Sequence, residues 1–183
     1  MHPKLKRCLM LLLDKAKLRS SIGTKSWVKA QLFGPDGELK QTELTLNLVT
    51  DNGDKYCADQ LFLSPALAAM DSMKLGTATT AAAKSGAGSF IPTGSYISGS
   101  AHACDETSPK EGDTNDEINY IHTWAAGEAT NTTINEVAIV DNTTDAGEAD
   151  ATHTMARAVF AANIDKQAAD TLKVTWGVTF LGA

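Results

Sequence analysis

The chain has 183 residues, a size at which one ordinary domain with an additional arm can bury a core without a metal or disulfide staple. Hydrophobic residues make up 43% of the chain, which excludes a disordered protein and a membrane protein as a whole. The net charge of −6 argues against nucleic-acid binding, because that function requires a concentrated basic face.

The segment 3–18 is predicted to be a basic amphipathic helix, because Leu5, Leu9 and Leu12 recur at helical spacing among lysines and arginines. Its apolar run is too short for a signal peptide, and no stretch of the chain reaches the length of a membrane span, so we expect no membrane partner. A helix of this kind can contact a membrane or a partner, but more often it covers an apolar surface of its own chain or of a neighbouring subunit. We therefore divide the chain into an N-terminal helix or arm, residues 1–20, and one domain, residues 21–183.

The next part of the chain predicts a β-hairpin. Residues 25–33 and 38–50 alternate between apolar and polar side chains, and the turn sequence Gly34–Gly37 separates them. A second turn is expected at Asp51–Asp54, a short helix over 55–70, and a further strand near 73–77. Residues 78–117 lack periodicity and are rich in small and acidic residues, which predicts a long loop or an arm that contacts neighbouring subunits.

The C-terminal third gives the clearest pattern, with strands expected near 118–124, 134–140, 155–160 and 172–180. Ile118, Tyr120, His122 and Trp124 share one face, whereas Ile134 is expected to face opposite to Val137. Alternation of this kind indicates one buried and one solvated face, as in an antiparallel sheet. The predicted fold class is therefore mainly β: an antiparallel β-sandwich, jelly-roll-like, with an N-terminal amphipathic helix and a long irregular loop. A β-meander packed on a helix is the alternative.

Groups that carry out chemistry are sparse. The three cysteines, Cys8, Cys57 and Cys104, are far apart and are expected to be free thiols, and the four histidines do not form a metal-binding motif. The segment His102–Asp105 could contribute to a metal site, but nothing nearby in sequence completes one. The acidic stretch Asp141–Asp150 lacks the spacing of an EF-hand loop and is interpreted as a solvated hairpin loop, with calcium binding left open. We expect no enzyme activity, no cofactor and no metal.

The tryptophans allow two interpretations. Trp124 and Trp176 lie on strongly alternating apolar strands, which favours core packing, whereas exposed tryptophans could stack on sugars. A carbohydrate-binding β-sandwich is therefore a second hypothesis for the function.

Several stretches resemble small virion structural proteins of tailed phages and prophages. Thr133–Asp141 is similar to their strand T-I-T-E-x-G-L-F-D, and Ala156–Phe160 to ARxxF. Lys166–Phe180 is similar to their ending K-x-A-x-D-T-L-x-V-x-W-x-I-x-F. More loosely, Gly34–Gly53 resembles their first hairpin and Leu75–Thr77 their G-T-G-T element. The likeness covers about residues 26–77 and 118–181, and segment 78–117 has no counterpart.

The resemblance implies a virion protein that is assembled in the cytoplasm of a bacterial host. Its partners would be the major capsid protein and copies of itself, as a homotrimer, with no nucleic acid involved. A capsid decoration or cement protein is the first expectation, and a tail, neck or fibre-adaptor protein is the alternative. Glu136 and Arg157 are expected to pair on adjacent strands, either in solvent or at a subunit contact. The interface candidates are Leu5, Leu9, Leu12, Glu136, Arg157, Asp105 and Glu117.

Overall fold

The structure is a computed structural model that describes residues 23–62, 69–92, 94–105, 110–111, 116–141 and 151–181. The N-terminal helix expected over 3–18 lies outside these ranges. Within them the chain forms one α-helix, α1 (Asp51–Phe62), and one 3-10 turn (Gly86–Gly88). The strands are β1 (Gly23–Phe33), β2 (Leu39–Leu46), β3 (Leu48–Val49), β4 (Ser72–Gly76), β5 (His102–Ala103), β6 (Lys110–Glu111), β7 (Glu117–Trp124), β8 (Asn131–Val140), β9 (Thr154–Lys166) and β10 (Thr171–Leu181).

The strands form two antiparallel sheets. Sheet A has the order β2-β1-β10-β7-β6, and sheet B has the order β3-β9-β8-β4-β5. The first and last strands are neighbours, with β1 pairing along its whole length with β10, from Gly23 opposite Leu181 to Phe33 opposite Thr171. The predicted C-terminal strands are confirmed. Because the order of strands in each sheet is not sequential, the alternative of a simple β-meander is wrong.

The predicted hairpin is also confirmed, and its second strand passes from one sheet to the other. Gly37 adopts a positive φ of 78°, and Gly34 N–H donates to Glu38 O across the turn. After Asn47 the chain leaves sheet A, and β3 pairs with β9 in sheet B. Side chains of β2 then bond to the adjacent backbone of β9, with Thr45 Oγ1 donating to Val159 O at 3.2 Å. This strand therefore joins the two sheets along one side.

The turn predicted at Asp51–Asp54 is wrong, because these residues form the first turn of α1. Thr50 caps the helix: its Oγ1 accepts a hydrogen bond from Gly53 N–H at 2.9 Å, and the acidic side chains favour the helix N-terminus. Gly53 is required for close packing rather than for a turn, since a Cβ atom there would lie 2.1 Å from Met155 O of β9. The described part of the helix reaches Phe62; of the rest of the predicted helix, residues 63–68 lie outside the described ranges, and residues 69 and 70 are not helical.

Apolar side chains from both sheets share one hydrophobic core. Fully or almost fully buried members come from sheet A and from sheet B: Val28, Leu32, Trp124, Leu172, Val174, Trp176, Leu75, Ile134, Val137, Ile139, Ala158 and Ile164. Core packing of Trp124 and Trp176 is thereby confirmed. Ile134 faces the same side as Val137, contrary to the prediction, because the pairing of β8 with β9 shifts register between Ile134 and Glu136.

Sheet B is buried on both of its faces, so the expectation of one solvated face is wrong there. The segment 77–101 lies against its outer face, where Ile91 packs on Ala138 and Val140. Backbone hydrogen bonds attach this segment to β4, including Ile97 N–H to Leu75 O at 3.1 Å. The described part of the predicted arm is thus irregular, as expected, but it covers its own sheet. It also contains the short strands β5 and β6.

Candidate functional site

The outward face of β2 carries three of the four large hydrophobic side chains that are exposed in the described chain. Leu39, Leu44 and Leu46 are 54%, 69% and 79% exposed, respectively. The polar residues that alternate with them, Glu43 and Thr45, point instead toward β9 and bond to its backbone. The alternation in the sequence is therefore real, but the orientation is the reverse of the usual one, because hydrogen bonds to β9 hold the polar side chains inward.

Neighbouring strands extend this outer face of sheet A. Leu46 lies opposite Trp27 of β1, and Leu44 lies opposite Lys29. The half-exposed Trp27 ring crosses Gly177 of β10, where a Cβ atom would approach the indole to 2.4 Å. We call Trp27, Leu39, Leu44 and Leu46 the outer leucine face. Exposed leucines in a row beside a tryptophan are typical of a surface that another protein covers.

The predicted pair of Glu136 and Arg157 is confirmed, and it lies inside the chain. Glu136 Oε2 accepts from Arg157 Nε at 2.6 Å, and both side chains are 0% exposed. Glu136 Oε1 also accepts from Ala78 N–H at 2.8 Å, and Arg157 Nη1 donates to Gly88 O at 3.1 Å. Burial raises the pKa of Glu136, and the Arg157 guanidinium opposes that rise. Because segment 77–101 covers the pair, neither residue offers surface to a second subunit, which corrects their assignment as interface candidates.

The surroundings explain why several positions of the resemblance occur together. Gly76 makes room for the Glu136 carboxylate, since a Cβ atom at Gly76 would lie 2.4 Å from Glu136 Oε1. The elements around Leu75–Thr77, Glu136 and Arg157 therefore meet at one point under the covering segment. The motif residues at these positions form a polar cluster that fixes a loop to a sheet.

The Lys166–Asp170 motif is likewise structural. Asp170 Oδ2 accepts from Lys40 Nζ at 2.9 Å and from Gln167 N–H at 3.0 Å, which closes the turn between β9 and β10. The hydrogen bond from Lys40 lowers the pKa of Asp170. Buried Lys166 donates to Ala125 O at 2.9 Å, and burial lowers the pKa of its ammonium group. These contacts join two turns at the same end of the sheets.

Two histidines from different strands come together near the edge of the sheets. The His102 and His122 rings stack with centroids 4.8 Å apart, and His122 meets Trp124 edge-on at 4.6 Å. His122 is almost fully buried, and burial lowers its pKa, while Asp105 opposes that shift. The distance from His122 Nδ1 to Asp105 Oδ1 is 2.7 Å, although the two groups are not aligned as a hydrogen bond.

This cluster lacks the geometry of a metal centre, because parallel stacked rings cannot direct their nitrogen lone pairs at one ion. In the part of the chain that the structure describes, no three His, Cys, Asp or Glu residues are placed to hold a metal ion. Cys57 and Cys104 are free thiols, and burial raises the pKa of Cys104 to about 11. Among the helices of the described residues, none is long and apolar enough to cross a membrane.

The remaining interface candidates have different positions. Asp105 is exposed but lies against His122, and Glu117 is half-buried at the start of β7. Leu5, Leu9 and Leu12 lie outside the described residues. Sequence reasoning missed the outer leucine face, because alternation alone does not reveal which set of side chains points inward.

Comparisons with protein-family models, with curated proteins and with solved structures return no match for this chain.

Proposed function

We propose that this chain is a structural subunit of a tailed-phage particle, acting as a capsid decoration or cement protein. The observation that carries the proposal is the outer leucine face, whose three leucines are each more than half exposed. Covering these side chains would remove apolar area from water at roughly 25 cal/mol per Å². The function would be mechanical: contacts with the major capsid protein and with other copies of the chain stabilise the shell.

The internal contacts of the motif residues support this proposal. The positions that resemble virion proteins, among them Gly76, Glu136, Arg157 and Asp170, hold turns and loops on the two sheets. Residues with such positions specify a rigid body rather than a reaction centre. A rigid body with one apolar outer face suits a protein that is fixed in a lattice.

A jelly-roll-like β-sandwich is the finer fold class that we propose. The two sheets share one core, and the chain passes between the sheets after β2, β5, β7 and β9. Sandwiches of this type are common in capsid proteins. The carbohydrate-binding hypothesis gains no support from Trp124, which is 0% exposed and donates from Nε1 to Ser100 O.

The test of the proposed interface replaces Leu44 and Leu46 together by glutamine. Both side chains are largely exposed, so the melting temperature should hardly change, whereas incorporation into particles should fall at least about tenfold if contacts worth ~1.4 kcal/mol are lost. Thr132→Gln is the control, because Thr132 is exposed on β8 of the other sheet, away from the outer leucine face. Equal incorporation of the double variant and the control would refute the interface.

The copy number per particle tests the role. Quantitative mass spectrometry of purified particles, relative to the major capsid protein, should find hundreds of copies of a decoration protein. A dozen or fewer would instead assign the chain to the tail or neck, and absence from particles would refute the proposal. In solution, a homotrimer would have about three times the 19.3 kDa mass of the chain.

A further inference from the structure

An apolar cavity opens beside α1 at the end of the sheets where β1 begins. Its volume is about 230 Å³. Tyr56, Cys57 and Leu61 of α1 line one wall, and Ile118, Tyr120 and Val178 of sheet A line the other. A cavity of about 150 Å³ with an apolar lining is already large enough to hold benzene, so this one has room for one or two leucine side chains. Leu61 at its rim is 63% exposed.

We propose that the chain's own N-terminal segment, residues 1–22, docks its apolar stripe into this cavity. The sequence places Leu5, Cys8, Leu9, Leu12 and Ala16 at i, i+3, i+4, i+7 and i+11, which is one face of a helix. Such a stripe needs an apolar partner, because an isolated helix of this length is only marginally stable in water. The inference concerns the fold of a single chain and is independent of the proposed role in a particle.

The chain geometry limits where this segment can lie. Gly23 begins β1, and Ser26, three residues later, pairs with Val178 of the cavity wall. Three residues of strand span about 10 Å, so the cavity lies within that range of the point where the segment joins the sheet. Residues 19–22 can span at most about 14 Å between the predicted helix and β1. With a tether this short, the effective concentration of the N-terminal segment at the cavity is in the millimolar range.

The charges are complementary as well. Residues 1–22 hold six basic side chains and one acidic one, a net charge of +5. Because the whole chain has a net charge of −6, the remaining 161 residues have a net charge of −11. Asp116 and Glu117, which are exposed and half-buried, directly precede Ile118 of the cavity wall in the sequence. Opposite charges of this size attract a basic segment to the rim, where the apolar stripe can then be buried.

Two native cysteines provide the test. Cys8 lies at the edge of the predicted stripe, and Cys57 lines the cavity, while Cys104 is buried and has a raised pKa. A short bismaleimide added to the full-length chain should give an intramolecular Cys8–Cys57 cross-link, identified by peptide mass spectrometry and absent from Cys8→Ser and Cys57→Ser. Cross-links between two chains would overturn docking within one chain and indicate a second copy as the occupant. No cross-link, with both thiols reactive to a monofunctional maleimide, would overturn the proposal.

Accessibility of Cys57 gives a second readout that needs no deletion. If the segment is docked about 90% of the time, Cys57 of the full-length chain reacts with maleimide about tenfold more slowly than in the variant Leu9→Gln/Leu12→Gln. The matched control is Met10→Gln/Leu11→Gln, which makes the same kind of change outside the stripe. This control should leave the slow rate unchanged. Equal rates in the two variants would overturn the proposal.

Discussion

Breaking the buried pair of Glu136 and Arg157 should destabilise the chain strongly. In Glu136→Gln an amide replaces the carboxylate, so the Arg157 charge loses its counter-charge in a place with no access to water. The carboxylate now accepts from both Arg157 Nε and Ala78 N–H, and an amide offers only one oxygen for the two donors. Arg157 Nη2 already lacks a hydrogen-bond partner, so no spare acceptor compensates.

The expected loss is about 3–5 kcal/mol, the usual cost of removing one partner of a buried ion pair. For a chain of 183 residues, about 2–4 °C of melting temperature corresponds to each kcal/mol, so we expect a fall of about 6–20 °C. Calorimetry at pH 7 measures it. Asp59→Asn is the control, because it removes an i,i+4 helix pair with Lys55, whose side chain is 67% exposed, and such a pair is worth about 0.3–0.5 kcal/mol.

A double variant separates the charge from the packing. Combining Glu136→Gln with Arg157→Met removes the unpaired charge and leaves the amide oxygen free to accept from Ala78 N–H. Replacing a whole buried pair is often close to neutral, so the double variant should melt above the single variant Glu136→Gln. If Glu136→Gln melts within about 2 °C of the wild type, as Asp59→Asn should, the reasoning about burial is refuted.

Three further predictions concern pH and packing. The pKa of His122 is lowered on folding, so the stability that neutral His122 contributes is present above pH 6.5 and is lost as the pH falls below that value. His122→Phe should therefore make the melting temperature less dependent on pH between about pH 5 and 7. An unchanged pH dependence would contradict this. The pKa of Asp170 is also lowered, so the destabilisation caused by Asp170→Asn at pH 7 should persist down to about pH 3.8 and shrink only below it, as measured by urea unfolding. Gly53→Ala should cost about 1–3 kcal/mol despite the better helix propensity of alanine, because the added Cβ overlaps Met155 O; a stabilised variant would refute the packing role.

The sequence predicts the strands well, because alternation in β7 and β10 reflects one set of side chains that packs in the core. It predicts the pairing of Glu136 with Arg157 from adjacent strands. It fails where a non-local contact decides the outcome: Gly53 resembles a turn residue until the close approach of Met155 is known. Similarly, nothing local in β2 shows that Thr45 reaches Val159 and turns the leucines outward.

For the candidate site, the missing information is also non-local. The two stacked histidines are twenty residues apart in sequence and lie on strands of different sheets, so only the packing of the two sheets brings them together. Segment 77–101 is held on sheet B by backbone hydrogen bonds. A run of small residues has no side-chain pattern from which such bonds could be predicted. The exposure of Leu44 and Leu46 could not be predicted for a similar reason. The alternation in β2 shows that the strand has an apolar and a polar face, but it does not show which of the two faces points to solvent.

The passage of the chain from β2 into β3 restricts how copies can associate. A sheet with a free edge can grow by adding a strand from another molecule, which is a common route to aggregation. Along this side, β2 and β9 direct their side chains and backbone groups at each other, so an incoming strand finds few open hydrogen-bonding groups. Molecules that meet along this side must therefore do so face to face, through side chains, rather than by adding a strand to the sheet.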